Sequence, residues 1–117
     1  MPGDLTSFRD PDDLKLVTLA RSTRARTGAT EGACVRDQDG RTYAGATVAL
    51  PSLQLSALQM AVAMAVTSGA RSLEAGVVLG AEAVLESDLS AVRDLSGPGV
   101  PVHLVTPDGE VVATVRS

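Results

Sequence analysis

Ser56, His103 and any of several aspartates are the side-chain types of a hydrolytic triad, in which an imidazole takes the proton of a serine hydroxyl and a carboxylate orients the ring. His103, however, stands in the apolar run Val102-His103-Leu104-Val105, where a lone histidine reads as structural. Cys34 is the single cysteine, so neither an intrachain disulfide nor a multi-cysteine metal site is available. In a strand it reads as buried and inert, because reactive thiols need an electropositive, partly exposed setting. Glu82, Glu86 and Asp88 place three carboxylates in one short stretch, oxygen donors that a cation could use. Gly76 and Gly80 match neither GxxxxGK[ST] nor GxGxxG, so no phosphate loop is present. Arg21, Arg24 and Arg26 read first as the cationic complement of a helix C-terminus, with an anion-binding cluster as the alternative. Met60 and Met64 read as core or interface filling, and Asp37, Asp39 and Asp108 as turn residues.

The elements that must carry these groups follow from local pattern. The first ten residues read as a flexible tail. Asp10-Pro11-Asp12-Asp13 opens a helix with a capping aspartate, a proline in the first turn and acids at the positive end of the dipole, and Gly28 stops it. Gly32 to Asp37 predicts a strand, Asp39-Gly40 a two-residue hairpin turn, and Arg41 to Val48 the returning strand. After Leu50-Pro51-Ser52 the pattern predicts a helix from Leu53 to Ser68, apolar nearly all round and so buried on several sides. Leu73 to Leu79 contains Gly76-Val77-Val78-Leu79, a continuous apolar run suited to a strand covered on both faces. Ser87 or Asp88 can cap a short helix ending near Leu95, and Val100–Val105 and Glu110–Val115 read as the last two strands around Pro107-Asp108-Gly109. The order α-β-β-α-β-α-β-β predicts a single domain over residues 1–117, a three-layer α/β/α fold around a mixed five-stranded sheet.

Composition excludes several classes. At 117 residues with 44% hydrophobic content, the chain can build one packed core. Phe8 and Tyr43 are its only aromatics, so the stacking platforms of single-strand nucleic-acid binders are missing. The net charge of -4 repels a phosphate backbone on average. The longest apolar stretch, Leu53 to Val66, falls short of the roughly 20 residues a membrane span requires. The polar, acidic N-terminal segment lacks the apolar core of a secretory signal, which makes a cytoplasmic location the expectation.

The segment from Ser56 to Gly69 resembles, without a gap, the Cys-Ala-Glu-Arg helix of the cytidine deaminase family. Gly32-Ala33-Cys34-Val35 followed by Asp39-Gly40-Arg41 is similar to that family's Gly-Ala-Ala strand and hairpin, and Val102–Val105 with Asp108–Val111 to its C-terminal strand pair. The resemblance spans roughly residues 14–115 and implies the deaminase fold. It also implies where the chemistry would sit, and those positions are changed. The first zinc ligand falls on Ser56, and the glutamate that shuttles protons to the base falls on Leu58. The Pro-Cys-x-x-Cys motif falls on Val84 to Leu89, which holds no cysteine, and the ribose-holding Asn-x-Glu falls on Thr47-Val48-Ala49.

A catalytic zinc needs three protein ligands and a water, whose pKa it lowers to about 7. Neither the ligands nor the proton shuttle is present in sequence, so no catalytic residue, metal ligand or cofactor is assigned. The resemblance implies a non-catalytic cytidine deaminase-like protein serving as a structural or protein-interaction module. The alternative is a small-molecule binder, of a nucleoside or nucleotide, using a vestigial pocket around Thr47, Ser52, Gln54, Ser56, Leu58 and Gln59. A homo-oligomer, dimer or tetramer, is the expected assembly. A further protein partner is open, with membrane and nucleic-acid partners not expected.

Overall fold

Residues 10–117 are described in a computed structural model of the chain. The tail expectation for the residues before Asp10 lies outside the described residues, and Asp10 itself is the N-cap of α1 (Pro11–Thr27). Its carboxylate accepts the N–H of Asp12 at 2.8 Å. At the other end Gly28, at φ 68°, donates its N–H to the Arg24 carbonyl and ends the helix.

β1 (Gly32–Asp37) turns into β2 (Thr42–Ala46). The turn holds three residues rather than the expected two, because Asp37 still pairs with Arg41, N to O at 2.8 Å, and Gly40 takes the left-handed conformation at φ 83°. The Asp37 side chain organises this turn. One oxygen accepts the N–H groups of Asp39 and Arg41, each at 2.9 Å, and the other accepts the Tyr43 hydroxyl at 2.8 Å. Burial alone would raise its pKa, but those three donors hold it below the usual carboxylate value.

The segment after β2 departs from expectation. The returning strand ends at Ala46, and Val48–Leu50 (β3) pairs with Leu53–Leu55 (β4) as a separate two-stranded sheet across Pro51-Ser52. The helix therefore does not begin at Leu53. It begins at α2 (Ala57–Thr67), where Ser56 and Gln59 form a capping box: the Ser56 hydroxyl accepts the Gln59 N–H at 3.1 Å, and the Gln59 amide oxygen accepts the Ser56 N–H at 2.9 Å. Nor is α2 buried on several sides. Ala57, Leu58, Ala61, Val62 and Ala65 are buried, while Met64 and Val66 are 40% and 50% exposed.

β5 (Leu73–Leu79) is the central strand, followed by α3 (Glu86–Ser96), β6 (Pro101–Val105) and β7 (Val111–Arg116). The main sheet has the order β2-β1-β5-β6-β7 and is mixed, with β5 and β6 parallel and the other pairs antiparallel. On one face α1 packs Leu16, Val17 and Ala20 against Cys34, Val77, Leu79 and Val105. On the other, Leu58, Ala61, Val62, Leu89 and Val92 of α2 and α3 pack against Ala33, Val35, Val78 and Val102. These are the three layers expected. Gly45 lets α2 lie directly on β2, since a Cβ there would stand 2.7 Å from the Ala61 nitrogen and 2.9 Å from the Ala57 carbonyl oxygen. The outer edge of β7 carries Val112, Ala113 and Thr114, all exposed, with Arg116 as the strand's single charge.

Candidate functional site

The N-termini of α2 and α3 meet at one hydrogen bond. The Ser56 hydroxyl donates to an Asp88 carboxylate oxygen at 2.6 Å, across 32 positions of sequence. Both groups also serve their own helices: Ser56 caps α2, and the second Asp88 oxygen accepts the Leu85 N–H at 3.4 Å, so Asp88 reaches back from the first turn of α3. The N-cap position itself is Leu85, not Ser87 or Asp88. Asp88 is 4% exposed, so its carboxylate is satisfied by the chain and by the positive ends of two helix dipoles. Its role was not visible locally, because nothing near residue 88 announces a partner at residue 56.

Beside this bond lies a recess of about 340 Å³ between the β3–β4 hairpin and the two helix starts. Of the residues expected around a vestigial pocket, Thr47, Gln54, Ser56 and Gln59 line it. Leu58 does not. It is fully buried and turned into the core beneath α2, the opposite side of the helix start from Ser56. Ser52 does not either, since it sits exposed in the turn of the hairpin. Sequence reading missed Glu31, Val48, Ala49, Leu55, Leu85, Ser87 and Asp88, which complete the wall. Glu31 escaped because no local pattern marks it.

The other candidate groups are dispersed. His103 faces α1: its Nδ1 lies 2.8 Å from the Thr114 hydroxyl and its Nε2 3.7 Å from the Asp13 carboxylate. Ser56 bonds Asp88 on the α2–α3 side, so no Ser-His-Asp arrangement forms. Burial pushes the His103 pKa down, Asp13 opposes this, and the charges of Arg116 and Arg36 add to the lowering. Asp13 is held chiefly by Arg36 at 3.0 Å, which also reaches Glu74 at 3.3 Å. Burial lifts the Cys34 thiol to about 12, which leaves it a protonated, unreactive group. The arginines at the end of α1 do not converge on an anion: Arg21 donates to the Pro107 carbonyl and Arg24 to the Thr30 carbonyl.

The donor set at the helix starts does not suit zinc. A hydroxyl and one carboxylate, already bonded to each other, stand where three ligands would be required. Glu86 is drawn to Arg93 at 3.0 Å, and among the described residues no three His, Cys, Asp or Glu side chains stand together. Among the described residues, too, no helix is long and apolar enough to cross a membrane.

The fold has close counterparts among solved structures. A cytidine deaminase from Burkholderia pseudomallei superposes with a TM-score of 0.76 at 23% identity, covering 86% of this chain and 89% of that one. One from Mycobacterium leprae gives 0.70 at 21% identity, covering 90% and 94%. One from Mycobacterium tuberculosis gives 0.65 at 24% identity, covering 86% and 89%. No curated protein matches by sequence search. The family model described as "Cytidine deaminase-like" matches residues 9–109. With its motifs, sheet order and family match in agreement, the chain belongs to the cytidine deaminase-like family.

Proposed function

We propose that this chain is a deaminase fold without deaminase chemistry, serving as a structural or protein-interaction module. The observation that carries the reading is the Ser56–Asp88 hydrogen bond. A metal in this family would tie the starts of the two helices together through thiolates, and here a hydroxyl–carboxylate bond ties them instead. Leu58, in the position of the proton-shuttling glutamate, is fully buried and cannot carry a proton. The charge-free surface of α2, with Met64 and Val66 outward, supports self-association as part of the same reading.

The test is metal content and cytidine turnover on untagged protein. Far less than one equivalent of zinc and no uridine formation are expected. Stoichiometric zinc, or uridine formation abolished by Ser56→Ala, overturns the reading. Light scattering tests self-association, and a monomer at micromolar concentration removes that part. The recess of about 340 Å³ supports a second reading, small-molecule binding. Thermal melting against nucleosides, nucleotides and free bases tests it. A ligand at 100 times its dissociation constant adds about 2.7 kcal/mol, which a melting curve resolves.

A further inference from the structure

The recess beside Ser56 continues into a second one of about 470 Å³, and the two share Glu31 and Leu85. Together they form a groove from the β3–β4 hairpin to the loop ahead of α3. Its hairpin end sets an apolar patch beside the polar side chains of Thr47, Gln54, Ser56 and Gln59. The pairing of Val48 with Leu55 and of Leu50 with Leu53 places all four side chains on one face of a sheet with only two strands. Val48 and Leu55 line the recess, while Leu50 and Leu53 carry the same face outward at 56% and 49% exposure. Leu85, on the ridge between the recesses, is 57% exposed. A two-stranded sheet is marginal in water by itself, and an apolar face left this open is stabilised by cover.

The other end is acidic. Glu31 and Glu82 line the second recess, and among the described residues neither has an ion-pair partner. No lysine or arginine lines either recess. Arg24 lies against Gly80 and Thr30 of that recess, its Nε donating to the Thr30 carbonyl at 2.9 Å, and forms no ion pair with Glu31 or Glu82 among the described residues. The Asp88 carboxylate already stands at the two helix starts, taking the Ser56 hydroxyl and the Leu85 N–H. The lining carboxylates Glu31, Glu82 and Asp88 favour a cation over an anion beside the aliphatic patch.

We propose that this groove docks a segment of a partner protein in which an aliphatic side chain stands beside a lysine or arginine. The aliphatic group covers Val48, Leu55 and Leu85, and the cation lies between Glu31 and Glu82. The inference rests on the interaction-module reading above. Cytidine turnover would defeat that reading, whereas a failure to bind the probe defeats only this one.

The experiment is a titration of the ¹⁵N-labelled full chain, followed by amide shifts, with a short peptide carrying Leu-Arg at its centre. Controls are the same peptide with Leu-Glu and the methyl ester of free arginine. Shifts confined to residues 30–31, 47–55 and 80–88 are expected, with binding roughly tenfold weaker for the Leu-Glu peptide, whose charge meets like charge. Leu85→Ser and Glu31→Gln/Glu82→Gln should each weaken binding several-fold and keep the dispersed spectrum of a folded chain. Equal binding of the Leu-Glu peptide, shifts centred elsewhere, or no shift at the highest peptide concentration overturns the proposal. Arginine ester binding as tightly as the Leu-Arg peptide overturns it in favour of a small organic cation.

Discussion

Replacing Ser56 by alanine removes two interactions with one atom. The hydroxyl accepts the Gln59 N–H as the cap of α2, a role whose loss costs about 1 kcal/mol. It also donates to Asp88, which is 4% exposed and would keep one carboxylate oxygen without its donor, at a cost of about 2 kcal/mol. Together these give about 3 kcal/mol, a large share of the roughly 5–15 kcal/mol that holds a domain folded. For a domain of this size the midpoint of melting should fall by about 12 °C. Ser56→Ala, Asp88→Ala and the double variant, unfolded by urea, form a cycle that isolates the bond from the cap. The expected coupling is about 2 kcal/mol, because the double variant leaves no orphaned carboxylate. Coupling below about 0.5 kcal/mol would mean that the two helix starts are held by packing alone, and the reasoning that gives this bond the place of a metal would be wrong.

Gly45→Ala should destabilise by about 1–3 kcal/mol through overpacking, as α2 is pushed off β2, while Ala46→Gly, beside it and free of that contact, should cost less; urea unfolding separates the two. The lowered pKa of His103 means that the folded chain favours the neutral ring. Its stabilising contribution is therefore complete above the ordinary value of 6.5 and is lost as pH falls below it, so midpoints measured between pH 7.5 and 5 should decline, and less steeply in His103→Gln. Cys34, with its thiol at about 12, should react with a thiol reagent at pH 8 only as fast as the chain unfolds. Reaction at the rate of a free thiol in folded protein would contradict that burial.

Most of the framework is written locally. Asp10 and Gly28 bracket α1, Gly76 to Leu79 announces a doubly covered strand, and Asp39-Gly40 marks a turn, although the bond between Asp37 and Arg41 sets its length. The β3–β4 hairpin was hidden because three apolar-rich residues on each side of Pro51-Ser52 carry too little period to separate strand from helix. A usable signal was present: Ser56 and Gln59 at capping-box spacing set the helix start at Ala57. The site was legible only where the chain order carried it. Thr47, Gln54, Ser56 and Gln59 lie close in sequence, whereas Glu31, Leu85 and Asp88 reach the recess through the tertiary fold.

The open edge of β7 has a consequence for handling and for evolution. On the side away from β6, Val111 to Val115 pair with no strand among the described residues and carry three valines and no charge before Arg116, and natural sheets commonly blunt such edges with lysine, proline or a covering loop. Crowded molecules can therefore add strand to strand along this edge without any change in their cores. Ala113→Lys, at a position exposed and outside both core clusters, should oppose that pairing while leaving the fold untouched.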